Sequence, residues 1–102
     1  MRFLLRRQFL PLVLSGAKRS TVRAGNRTAP AGPGEIVCGR TVVPIEVSRT
    51  RVKTLGALND DDAAIDGFDS AIELKQTLKQ FYPDLREGDP VTIVYFDLKQ
   101  HT

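Results

Sequence analysis

The sequence predicts an α+β domain with a mainly antiparallel sheet, small enough to curl into a barrel with two to three flanking helices. Three observations carry that reading. β-prone runs recur from one end of the 102 residues to the other. Only three segments carry helical spacing or helix caps. The order β, α, β, loop, β, β, α, α, β puts many strands into one short chain, which favours a closed or nearly closed sheet.

Residues 2–5 (Arg-Phe-Leu-Leu) are short and apolar enough for a buried strand. Gln8 to Ser15 reads as a short helix, with Pro11 tolerable only in its first turn and Gly16 placed to end it. Thr21-Val22 marks a strand over Ser20–Arg23, and residues 24–34 (AGNRTAPAGPG) form a flexible loop by composition. Ile36–Cys38 and Thr41–Lys53 pair through a turn at Gly39-Arg40, with Val43, Ile45 and Val47 on the buried face. Farther on, Arg49, Arg51 and Lys53 share one strand face. That row fits a nucleic-acid backbone stripe, and equally a charged edge strand protected against aggregation.

Asn59 can cap a helix opening with Asp60, Asp61 and Asp62, and Gly67 ends it. Ser70 and Glu73 have capping-box spacing ahead of a helix to about Tyr82, whose Leu74, Leu78, Phe81 and Tyr82 make the buried stripe. Pro83 stops it. Val91 to Phe96 is the closing strand, and residues 99–102, with His101, read as a tail.

Apolar residues make up 41% and charged ones 26%, the balance of one soluble globular domain spanning 1–102. The run Phe9–Leu14 is far short of the roughly 20 residues that cross a bilayer. As a secretory signal it is interrupted by Arg6 and Arg7 and broken by Pro11. One cysteine, Cys38, leaves no intramolecular disulfide and no multi-cysteine metal site, so no metal or cofactor is expected and a cytoplasmic setting is the simplest fit. Charge is unevenly distributed. Residues 1–53 carry eleven Lys/Arg against two acids, a net of +9, and residues 54–102 carry four against ten, a net of −6. The split predicts either a basic face for an anion such as RNA or two halves interleaved in space.

The segment Gly16-Ala17-Lys18-Arg19-Ser20-Thr21-Val22-Arg23 resembles the G-x-K-x-x-T-x-R signature of the ASCH domain family. Asp62-Ala63, Asp66-Gly67-Phe68, Glu73-Leu74 and Tyr82-Pro83 resemble its second block, and Gly88-Asp89 leading to Phe96 its third. The resemblance implies a PUA-like barrel with a cleft where the first two blocks meet, and RNA or a modified cytidine nucleoside as partner. Small single-domain bacterial members are amidohydrolases acting on N4-acetylcytidine. Carried onto this chain, their catalytic groups are Lys18 as base, Thr21 as nucleophile and Asp66 as acid, the last in place of the family's usual glutamate. Gly16, Arg19, Ser20 and Arg23, with Arg49, Arg51 and Lys53, are the candidate nucleotide- or RNA-binding residues. Other readings within the same resemblance are a non-catalytic RNA-binding module and a metal-independent ribonuclease.

Such chemistry makes demands on geometry. The base role needs a neutral amine, which burial must supply, and the acid role needs a carboxyl held above its ordinary range. In a regular strand Arg19, Thr21 and Arg23 share a face and Lys18 points the other way. Lys18 meets Thr21 only if the chain is still turning after Gly16.

Overall fold

In the computed structural model, which describes residues 1–27 and 29–99, five strands form one mixed sheet. These are β1 (Arg2–Leu4), β2 (Ser20–Ala24), β3 (Gly32–Cys38), β4 (Thr41–Thr54) and β5 (Pro90–Leu98). Their spatial order is β1-β3-β4-β5-β2, with β1 parallel to β3 and the other pairs antiparallel. The expected barrel is a curled half-barrel: its two end strands, β1 and β2, face each other across an open seam. The α+β class and the mainly antiparallel pairing are as expected.

Burial follows strand position. Val91, Thr92, Ile93 and Val94 of β5 are all buried, because β5 lies between β4 and β2 and is covered on both faces. One face meets Phe3, Val13, Ile36, Ile45, Val47 and Phe96 inside the curl. On the other, Val22, Val91 and Ile93 pack against Leu55, Leu58, Ala63, Leu74 and Leu78. The sheet thus separates two apolar clusters, and each fully buried aliphatic side chain is worth about 1.5–3 kcal/mol.

Three helices cover the sheet: α1 (Leu10–Ser15), α2 (Asp60–Ile65) and α3 (Ala71–Phe81). The expected helix over Gln8–Ser15 is split, with a 3-10 turn over Arg7–Phe9 ahead of α1 and Pro11 in the first turn of α1. Gly16 takes φ 83°, the left-handed cap conformation that ends α1. At α2, Asn59 Oδ1 accepts from the Asp62 amide at 2.9 Å and Asp62 Oδ2 accepts from the Asn59 amide at 3.0 Å, a reciprocal cap. Ser70 caps α3 by accepting from the Glu73 amide at 3.2 Å.

Two boundaries differ from expectation. β3 begins at Gly32, inside the stretch expected as loop, because Gly32, Pro33 and Gly34 pair with Val47, Glu46 and Ile45 of the long β4. Backbone pairing there overrides a Gly/Pro composition that argues against strand. The second half of β4 is an edge, as one of the two expected readings has it, but it begins only past an irregularity in the strand. A register shift falls between Val47 and Arg49, and from there to Thr54 the strand pairs with β5 alone. Of the residues expected as tail, those after Lys99 lie outside the described residues, as does Thr28 of the expected loop.

Candidate functional site

The segment after Gly16 is clamped from both sides before it enters β2. The Lys18 amide donates to Leu12 O at 2.9 Å and the Arg19 amide to Ile65 O at 2.8 Å. Gly67, at φ 88° just after α2, lies so close that a Cβ there would stand 3.3 Å from Lys18 Cβ. Two helix ends therefore converge on one extended residue, and that residue is Lys18.

Lys18 is 4% exposed and Asp66 2%. Lys18 Nζ donates to Asp66 Oδ2 at 2.9 Å and to Asp66 O at 3.2 Å, and Ser20 Oγ donates to Asp66 Oδ1 at 2.7 Å. Both carboxylate oxygens are thus engaged, which is the condition for holding a buried acid in one orientation. Burial raises Asp66 above its ordinary range; Lys18, Ser20 and the more distant Arg23 work against that rise. Phe9 and Phe68 cover the ammonium, their ring centres 5.4 and 5.7 Å from Nζ.

Strand parity places the remaining signature residues. Ser20 and Val22 stand opposite Tyr95 and Ile93, whereas Thr21 and Arg23 stand opposite Val94 and Thr92. Lys18 and Ser20 therefore share the Asp66 face, and Thr21 and Arg23 share the inner face of the curl. The turn after Gly16 does not bring Lys18 onto the Thr21 face. Lys18, Thr21, Val22 and Arg23 nevertheless line one cleft of about 440 Å³ with Asp66, because β2 is an end strand and the cleft wraps around its free edge. Its volume is in the range of small-molecule sites.

The opposite wall comes from β1 and α3. Leu4 and Leu5 approach from β1; Leu74, Leu78, Phe81 and Tyr82 approach from α3. Phe9 stacks edge-on to Phe68 and Phe81, with centroids 5.7 and 6.2 Å apart. Arg6 lies over the Phe81 ring at 4.3 Å. Arg23 crosses the seam: Nη2 donates to Leu4 O on β1 at 2.7 Å. Burial lowers the proton affinity of Arg23, with Tyr82 opposing; a guanidinium remains charged regardless.

Several expected binding residues stand elsewhere. Gly16 serves as the cap of α1, and Arg19 is exposed and absent from the cleft lining. Lys53 is tied to Asp62 Oδ2 at 2.6 Å, in an ion pair 12% and 7% exposed, so it does not act as a free cation of a stripe. Arg49 lies over the Tyr95 ring at 4.6 Å and Arg51 is exposed on β4, outside the cleft. Among the described residues no group of three His, Cys, Asp or Glu side chains comes together to hold a metal ion, and no helix is long and apolar enough to cross a membrane.

No family model and no curated protein matches the chain. Solved structures do. The ASCH domain from Lactobacillus crispatus JV V101 superposes with a TM-score of 0.73 at 18% identity, over 86% of this chain and 68% of that one. The fold is ASCH-like. The DUF984 protein EF3133 from Enterococcus faecalis V583 gives 0.74 at 12% identity, over 86% and 64% of the two chains. Hypothetical protein PH0355 gives 0.71 at 15%, over 97% and 100%. At these identities the likeness is one of fold.

Within this ASCH-like fold the aromatic wall is what motif reading missed. Phe9 carries no signal beyond its place in a short apolar run. Phe68 follows Asp66-Gly67 directly, and that adjacency could have marked it. Phe81 and Tyr82 read as core from helical spacing, yet both are half-buried at the cleft rather than sealed beneath it.

Proposed function

We propose that the cleft binds a nucleoside of the modified-cytidine type and hydrolyses its exocyclic amide, as in N4-acetylcytidine. The observation that carries this reading is the Lys18–Asp66 pair, 2.9 Å apart and almost solvent-free, on the wall of a cleft that Thr21 also lines. A buried ion pair is a poor source of stability, so its retention in a cleft points to chemistry. The aromatic wall of Phe9, Phe68 and Phe81 suits the flat face of a base.

Moving one proton from Nζ to Oδ2 across the 2.9 Å contact turns the pair into an amine and a carboxylic acid. Burial favours the protonated acid at Asp66. Because Lys18 and Thr21 stand on different faces of β2 and share only the cleft, the Thr21 hydroxyl proton passes to the amine through a cleft water as the oxygen attacks the acetyl carbon, forming a carbon–oxygen bond. Asp66 donates its proton to the exocyclic nitrogen as the carbon–nitrogen bond breaks, releasing cytidine. Water, losing a proton to the Asp66 carboxylate, cleaves the threonine ester to acetate. The lysine proton returns to Thr21, restoring the starting state. Arg23 adds positive charge beside the oxyanion.

The test is acetate release from N4-acetylcytidine by the purified protein, with Lys18→Met and Thr21→Val as controls. Turnover abolished in both variants supports the reading, and an intact protein without turnover overturns it. A second reading is favoured by one observation: Lys18 reaches Asp66 rather than Thr21. In that case the cleft binds the nucleoside or RNA without turning it over, and affinity without acetate release identifies it.

A further inference from the structure

Arg23 is also the wall of a second cavity. On the far side of its guanidinium lies a space of about 350 Å³ at the other end of the seam. Arg2 and Arg27 join Arg23 in lining it, and Phe3 and Leu4 supply apolar surface. No carboxylate is among its described lining residues. The nearest acid in contact with this set is Glu35, 3.5 Å from Arg2 Nε in a solvated pair that neutralises little. Arg27 is held by its backbone, its amide donating to Thr92 Oγ1 at 2.8 Å, and its Nε donates to Ala24 O at 2.8 Å. The exposed guanidinium is thus tethered through Nε.

Arg23 Nη2 is satisfied by Leu4 O and Tyr82 neighbours the guanidinium on the cleft side, while Nε is fully buried without a hydrogen-bond partner, so a ligand in the second cavity meets Arg23 through its Nη atoms. A buried, unmatched donor on a cation costs free energy unless an anion stands nearby. Asp66 lies on the cleft side, where Lys18 and Ser20 already occupy its oxygens. On the second-cavity side, among the described residues, only the solvated Glu35 beside Arg2 answers the three guanidiniums.

We propose that the second cavity is a phosphate subsite formed by Arg2, Arg23 and Arg27, so that the ligand spanning Arg23 is a nucleotide rather than a free nucleoside. The phosphate site stands on the three arginines alone; the nucleotide assignment rests on the nucleoside reading of the cleft. Guanidiniums suit this role because each can offer two parallel N–H donors to phosphate oxygens. A ligand bridging the two cavities also draws β1 and β2 together, since Arg23 already links them.

The experiment is an NMR titration of the nitrogen-labelled protein with inorganic phosphate, cytidine and cytidine monophosphate at constant ionic strength. Phosphate is expected to shift the Arg23, Arg27 and Ala29 amides saturably, and the monophosphate to bind at least ~ten-fold more tightly than cytidine. Arg27→Gln should abolish the phosphate shifts and the monophosphate advantage while leaving cytidine affinity unchanged. Arg2→Gln carries the same comparison if Arg27→Gln does not fold. Phosphate that moves none of these amides more than chloride does, or an advantage that survives both variants, overturns the subsite. If cytidine fails to bind while phosphate binding depends on Arg27, the subsite stands as an anion site and the nucleoside reading of the cleft falls.

Discussion

Lys18 Nζ meets Asp66 Oδ2 at 2.9 Å in a contact from which solvent is almost excluded, although the two residues are 48 positions apart. The pair joins the strand after α1 to the end of α2 and fixes one wall of the cleft. Its energetics and its chemistry can be tested separately.

Removing one partner leaves the other buried and unmatched. Lys18→Met or Asp66→Leu is expected to lower stability by about 3–5 kcal/mol, whereas the Lys18→Met, Asp66→Leu double variant costs much less than the two single changes summed. Urea unfolding of the four proteins measures this, and simple additivity would show that the pair is not coupled.

The pH dependence follows from Asp66. Its folded-state proton affinity is raised above the ordinary value of 3.8 by burial. Between that value and the raised one the folded state holds more protons than the unfolded, so this group's contribution to stability is fully present at lower pH and is lost as pH rises through the raised value. The unfolding free energy of the parent relative to Asp66→Asn should therefore fall with rising pH over that window. A difference that is flat or climbs would contradict the burial argument.

Gly67 combines a left-handed φ of 88° with a Cβ position 3.3 Å from Lys18 Cβ. Gly67→Ala should cost about 1–2 kcal/mol from backbone strain alone and should displace Lys18 as well. Loss of ligand binding beyond the loss of folded protein, measured by titration, separates the second effect from the first.

Arg23 closes the seam through Leu4 O at 2.7 Å. Arg23→Met should speed hydrogen exchange at the Leu5 amide, which bonds Val37 O at 2.9 Å, by about ten-fold, the equivalent of 1.4 kcal/mol, while leaving exchange in β4 unchanged. Equal exchange in the two proteins would mean that β1 is held by β3 alone.

Local rules made much of this molecule legible from residues. Period-two alternation placed Val43, Ile45 and Val47 inside, and cap chemistry placed the starts of α2 and α3 at Asn59 and Ser70. Composition misread 32–34, because strand pairing with β4 is a tertiary event that a Gly/Pro stretch does not announce. The row Arg49, Arg51, Lys53 looked uniform along the strand, yet the partner of Lys53 is Asp62 on the following helix, and only folding brings that acid within 2.6 Å.

The sequence by itself determined the α+β class, the helix caps and the parity that sets Lys18 apart from Thr21, since these depend on neighbours a few residues away. Tertiary structure decided that Asp66 meets Lys18 and Ser20, that an end strand lets both faces of β2 open on one cleft, and that Arg23 bridges the seam. Those contacts join residues 19 to 48 positions apart, and the cost of bringing such segments together is met only when the two apolar clusters form around the sheet.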